Sequence, residues 1–308
     1  MKLVKGGIAF FDSGIGGLTV LAECEKLFSK EIFYYYGDHS HAPYGNLSNR
    51  KIKKYVFRAF RLFKKLRVKA VVVACNTATA VCIESLRKKY KFPIIGAEPA
   101  VLAAAKQGGE VFVLSTRATY QSDRFQNLCK KARAKFPNTL IRTFACDGLA
   151  GAIEDNVENF ENDFTEFFPK GNPTSVVLGC THYIYIGRKI KNYYGCKIYD
   201  GNRGIALRLK TILEDNRQKN WDEQPPLRKK RAFLGFLTTF NSKKIAKGKK
   251  NKNTNECSHK MSKKALKYKE KGEKNTIFFF GKNRQKDVKI YEQMFVLERG
   301  GQKYFVLG

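Results

Sequence analysis

From residue 7 to about 215 the chain alternates short apolar runs with longer stretches of mixed character. The apolar runs are GIAFF, IFYYYG, AVVVAC, FPIIGA, VFVLST, LIRTFA, SVVLGC and CKIYD. Each is short and rich in β-branched or aromatic residues, which predicts buried strands. Residues 17–29, 49–66 and 79–90 have helical length and spacing between them. Parallel strands need long crossovers, so this alternation predicts an α/β protein with mainly parallel sheets covered by helices.

One internal echo stands out. VVVACNT (residues 71–77) and VVLGCTH (residues 176–182) are each an apolar strand that ends in Cys followed by small polar residues. Ligands of open α/β sheets bind beyond strand C-termini, where helix N-termini supply N–H donors. Two related halves would therefore present Cys75 and Cys180 to one shared cleft.

The pattern breaks after residue 216. Pro225 and Pro226 end any helix, and the following stretch is basic, polar and of low complexity, as expected of a solvated or disordered insert. TIFFFGK (residues 276–282) predicts a returning strand and DVKIYEQMF a short helix. The expected organisation is a first α/β domain of residues 1–97 with 200–216 and 275–308, a second of residues 98–199, and a basic insert at 217–274.

Composition narrows the function classes. A chain of 308 residues is long enough for about two domains, and 43% hydrophobic content with 24 Phe supplies both cores. No run approaches the roughly 18 consecutive apolar residues of a membrane span. The N-terminal MKLVKGGIAFFDSG has no signal-peptide pattern, so a cytoplasmic protein is expected. The eight cysteines are scattered, without C-x-x-C spacing, and predict reduced thiols rather than disulfides or a zinc site.

The formal charge of +32 would ordinarily suggest a nucleic-acid partner. Residues 217–274 alone carry 19 Lys and Arg against 5 Asp and Glu. Aromatic residues are sparse there, so a solvated loop is favoured over a nucleic-acid contact.

FDSGIGGL (residues 11–18) is a strand running into a Gly-rich turn and a helix. Its spacing is not G-x-G-x-x-G, and Asp12 before the turn would repel a pyrophosphate, which argues against dinucleotide binding even with Asp38 at the next strand end. Either cysteine alone would ordinarily be a small buried hydrophobe. Their pairing at matching strand ends, beside Asn76, Thr77 and Thr181, gives them chemical interest.

FDSGIGGLTVL, YYGD followed by PYG, VVACNTA, a Pro-Ile-Ile-Gly strand leading to Glu98 and Pro99, VLSTRATYQS and LGCTHY occur in a characteristic order. Over residues 7 to about 205 the chain resembles the aspartate/glutamate racemase superfamily and, within it, the glutamate racemases. The resemblance implies two pseudo-symmetric α/β domains with the active-site cleft between them. It implies cofactor-independent interconversion of L- and D-glutamate for peptidoglycan synthesis, without metal or pyridoxal phosphate, by a homodimer. Aspartate or another amino acid is the rival substrate.

By the same resemblance, Cys75 and Cys180 are the opposed proton acceptor and donor, assisted by Asp12 and His182 and by Glu154. The substrate contacts it implies are Asp12, Ser13, Pro43, Tyr44, Gly45, Asn76, Thr77, Thr119 and Thr181. A free thiol titrates near ~8.5, so local help is expected, for instance from the helix N-terminus after each cysteine. The chain departs from the family pattern at Asn46, at Ile184 and in ACDGLAGAIEDN, where Asp147 and Gly148 replace Pro and an apolar residue.

Overall fold

The computed structural model describes residues 6–28, 31–156, 162–218, 276–280 and 303–306. One unit, residues 5–213 and 274–308, holds both sheets; of the other, residues 1–4 and 214–273, only 214–218 are described.

The first sheet contains β1 (Ile8–Asp12), β2 (Ile32–Gly37), β3 (Ala70–Val73), β4 (Ile94–Gly96), β9 (Thr276–Phe280) and β10 (Lys303–Val306) in the order β10-β9-β2-β1-β3-β4. The second contains β5 (Gly109–Ser115), β6 (Thr139–Ala145), β7 (Ser175–Leu178) and β8 (Lys197–Tyr199) in the order β6-β5-β7-β8. Every pairing is parallel. All eight apolar runs before residue 215 are strands, and TIFFF returns as β9. The edge strand β10 was not anticipated.

Both faces of each sheet are covered, which is why the strands read as continuous apolar runs. Side chains of a strand alternate between faces. Ile8 and Phe10 of β1 thus join one core with α1 (Gly17–Glu25) and Ile205, Ala206, Leu209 and Leu213 of α9 (Asn202–Gln218). Ala9 and Phe11 join the opposite core, with α2 (Asn49–Leu66) and α3 (Asn76–Lys89).

In the second sheet Phe112 and Leu114 pack with α7 (Leu149–Asp155) and α8 (Gly187–Tyr194). Val111 and Val113 face α4 (Val101–Ala105) and α6 (Asp123–Lys135). The expected helix at 49–66 is α2 to the residue; that at 79–90 begins three residues earlier, as α3. Of the insert at 217–274, only residues 217–218 are described, as the end of α9; the expected helix DVKIYEQMF lies outside the described residues.

β2-β1-β3-β4 and β6-β5-β7-β8 are the same topology used twice. In the first, α1 leaves β1 toward one face and α3 leaves β3 toward the other. The crevice between such diverging connections is where open α/β sheets bind ligands. Asp12 and Ser13 border it after β1, and Cys75 borders it after β3. The second sheet has its counterpart between the ends of β5 and β7.

Candidate active site

Backbone hydrogen bonds give the correspondence between halves residue by residue. Ala74 N–H donates to the Phe11 carbonyl at 2.8 Å, and Gly179 N–H donates to that of Leu114 at 2.7 Å. In that register Cys75 matches Cys180, Ser13 matches Thr116, Asn76 matches Thr181 and Thr77 matches His182. The echo in the sequence is thus a structural repeat, and both thiols are buried.

Cys75 is the N-cap of α3, its Sγ accepting from the Ala78 N–H at 3.4 Å and lying 3.6 Å from Ser13 Oγ. The N–H at the helix N-terminus favours its thiolate, as expected. Burial and the charge of neighbouring Asp12 push the Cys75 thiol well up, outweighing the help from Ala78 and Ser13. Cys180 precedes not an α-helix but a 3-10 helix, Thr181–Ile186, and has no capping bond.

What stands beside Cys180 is His182, whose Nδ1 is 3.7 Å from its Sγ. The other ring nitrogen donates to Glu154 Oε2 at 2.7 Å. Burial disfavours a charged ring, but its hydrogen bonds with Cys180 and Glu154 prevail and hold His182 well above the usual histidine range. Glu154 is opposed by burial too, and is nonetheless held well below the usual carboxylate range by hydrogen bonds from His182 and His39. An imidazolium–carboxylate pair results, and the imidazolium presents Nδ1–H to the sulfur.

Asp12 ends β1 and is fully buried. Its Oδ1 accepts from the Gly14 N–H at 2.9 Å, and its Oδ2 accepts from the Thr181 hydroxyl at 3.2 Å. Burial raises its carboxyl above the ordinary aspartate value, against the opposing pull of His182. Asp12 therefore links the Cys75 side to Thr181, the residue next to Cys180.

The Gly-rich turn explains itself at this contact. A Cβ on Gly14 would overlap the Glu154 carboxylate, and one on Gly16 would overlap the Thr181 hydroxyl. The Ile15 N–H within the turn donates to Glu154 Oε2 at 3.1 Å. These glycines let the two halves approach to hydrogen-bonding distance.

The other expected contacts gather with varying clarity. Asn76 lines a cleft with Cys180, Thr181 and Asn202, and its Oδ1 has no hydrogen-bond partner among the described residues. Pro43 and Gly45 line a second cleft with Thr116, Arg117 and Cys146. Thr77, Thr116 and Thr119 form a hydroxyl cluster, with Oγ1 separations of 2.9 Å, 3.3 Å and 3.0 Å. Tyr44 is buried with its hydroxyl donating to Asp38 at 2.6 Å, so its side chain is engaged in structure.

Sequence reading missed three neighbours. Thr116 is the Ser13 equivalent and completes the hydroxyl cluster. Cys146 is a third buried thiol near Cys180, raised to about 12 mainly by burial. His39, whose Nδ1 donates to Glu154 at 2.7 Å, was not singled out. Its position directly after Asp38 at a strand end was the available signal. Among the described residues, no His, Cys, Asp and Glu group suits a metal ion, all seven cysteines are free, and no helix could cross a membrane.

Fold and site together define an α/β protein whose two topologically equivalent halves each bring one cysteine to a common buried centre. The family model for Asp/Glu/Hydantoin racemases matches residues 23–207. Curated relatives include a glutamate racemase from Clostridium botulinum (strain Okra / Type B1), 37% identical over 79% of this chain and 94% of its own. Another from Clostridium perfringens (strain ATCC 13124) is 36% identical over 79% of this chain and 94% of its own. The crystal structure of a glutamate racemase isoform from Bacillus anthracis superposes with a TM-score of 0.64 at 25% identity, covering 98% of this chain and 97% of that one. The chain belongs to the Asp/Glu/Hydantoin racemase family and is an isomerase of the racemase class.

Proposed function

We propose that this racemase interconverts L- and D-glutamate by two-base proton transfer at Cα, with Cys75 and Cys180 on opposite faces of the substrate. The observation that carries the reading is their equivalence: one thiol after β3 and one after β7, joined through Asp12 and Thr181. Inversion needs a proton removed from one face and returned on the other, and one thiol from each of two topologically equivalent halves suits that task. One is thiolate and the other thiol at any moment, and they exchange roles with reaction direction.

The supporting groups divide the work. His182, held charged by Glu154, donates to the Cys180 sulfur when it carries negative charge and takes up the burden of burying that charge. Cys75 needs a proton acceptor in the direction where it abstracts, and Asp12, with its carboxyl raised by burial, relays the proton or holds the substrate ammonium. Ser13, Asn76, Thr77, Thr119 and Thr181, with the backbone around Pro43, Tyr44 and Gly45, offer neutral hydrogen-bonding groups for the two carboxylates. Neutral donors bind without the excess charge that would retain product.

Glutamate is preferred over aspartate because both curated relatives carry the name glutamate racemase. On this reading the chemistry needs neither metal nor pyridoxal phosphate. The proposal extends to D-glutamate supply for peptidoglycan, a cytoplasmic homodimer and the domain division 1–97 with 200–216 and 275–308 against 98–199. Purified protein is incubated separately with L-glutamate and L-aspartate in deuterated water, following loss of circular dichroism and deuterium at Cα. Inversion and exchange with glutamate are expected; inversion of aspartate alone overturns the substrate, and no exchange with either overturns the reaction.

A further inference from the structure

Glu154 is gripped from both sides. Its Oε2 accepts from His182 Nε2 at 2.7 Å and from the Ile15 N–H at 3.1 Å, while its Oε1 accepts from His39 Nδ1 at 2.7 Å. His39 lies in the 3-10 turn His39–His41 after β2, in the first half, whereas Glu154 belongs to α7 in the second. The His39 side chain is 3% exposed and that of Glu154 11%, so water screens the contact little. From His39 a continuous line of polar contacts runs through Glu154 and His182 to the sulfur of Cys180.

We propose that His39 is a positioning residue for proton transfer at Cys180: it fixes the Glu154 carboxylate against His182 and so keeps the imidazolium aligned with the sulfur. The inference rests on the two-thiol reading but names a residue which that reading does not require. The physical reason is geometric. A carboxylate bound through one oxygen swings about its Cγ–Cδ bond, and a second donor on the other oxygen fixes the plane in which it meets His182. Because His39 comes from the opposite half, that plane is set only when the halves are together, which ties alignment of the Cys180 side to closure of the site.

The groups facing His182 are Cys180, Glu154 and the nearby Asp12. His39 bears on its charge through Glu154. Replacement of His39 should therefore move the titration of His182 without touching any group that meets substrate.

The test uses the full-length protein with three substitutions. His39→Asn keeps an N–H near the place of Nδ1, His39→Gln keeps bulk and polarity but moves the donor away, and His39→Ala removes it. Racemisation from each glutamate enantiomer gives kcat and KM, and the four histidines are followed by NMR across pH. Loss of one hydrogen bond to a charged group predicts a fall in kcat of about tenfold for the Ala and Gln variants, with KM within about twofold. The Asn variant should recover most of the rate, and the His182 midpoint should shift in Ala and Gln but not in Asn. If the Ala protein does not fold, the Gln protein takes its place.

A His182 midpoint identical in wild type, Ala and Gln variants overturns the inference, as does a kcat unaffected by both losses or a loss that Asn does not restore. Wild-type protein inert toward glutamate would instead overturn the proposed function, and the His182 midpoint would still decide the role of His39.

Discussion

At the scale of single residues, the two thiols have unequal surroundings despite their equivalent places. Cys75 faces Asp12 and is pushed up by burial, whereas Cys180 faces a charged His182. Replacement of either cysteine by Ala should reduce racemisation by about a thousandfold or more, since each general acid or base contributes roughly 10²–10⁴; polarimetry from both enantiomers checks this. The raised Cys75 predicts a kcat/KM that climbs with pH above neutrality, because the thiolate form gains population as pH rises toward the elevated value. A flat profile from pH 7 to 9 in both directions would contradict it.

Glu154 makes a second residue-scale prediction, this time for stability. Its folded-state value is depressed. Its contribution is therefore complete above the ordinary glutamate value near ~4.3 and is lost as pH falls toward the folded-state value. Glu154→Gln should cost about 1–3 kcal/mol at neutral pH, the scale of hydrogen bonds to charged groups. The gap in thermal midpoint from wild type should narrow steadily once pH drops below ~4, as scanning calorimetry would register.

At the scale of elements, the turn between β1 and α1 matters more than its lack of side chains suggests. Its carbonyls and N–H groups accept from Tyr35 and Tyr185 and donate to Glu154, at 2.6 Å, 2.8 Å and 3.1 Å. Gly16→Ala would drive a methyl group into Thr181 and separate it from Asp12. A displacement of about 1 Å at an active site can cost about a hundredfold in rate. We expect such a loss with an unchanged far-ultraviolet circular dichroism spectrum; a fully active Ala variant would show that the contact with Thr181 is dispensable. The same reasoning explains why G-x-G-G here is not a phosphate loop: the turn receives a carboxylate of its own chain.

At the scale of the whole molecule, two copies of one strand order share a single chemical centre. Polar contacts cross the cleft: Asp12 with Thr181, Ile15 with Glu154, His39 with Glu154, Tyr185 with Ile15, Thr77 with Thr116 and Thr119, and Arg124 with Glu84. Polar contacts of this kind exchange readily with water, which suits halves that part to admit substrate. Tyr185→Phe removes one of them and should lower stability by about 0.5–1.5 kcal/mol, measured by urea unfolding, and alter KM more than kcat. The proposed homodimer predicts a sedimenting mass of twice 35.2 kDa; a protein that stays monomeric at assay concentration would remove that part of the proposal.

Much of this was legible from local pattern. Alternating apolar runs specified eight parallel strands because strands buried on both faces must be apolar along their whole length, and Cys75 and Cys180 were visible because each ends such a run. Asp12, His182 and Glu154 came from the family resemblance, since a carboxylate or imidazole carries no periodic signal of its own. What the chain alone did not disclose was who meets whom: His39 reaches a carboxylate 115 residues away, the glycines of the first turn make room for Glu154 and Thr181, and burial beside Asp12 outweighs the helix terminus at Cys75. Periodicity records whether a position faces solvent or core, a local property. Partnership and ionisation depend on groups brought together from distant segments, and only the folded arrangement decides those.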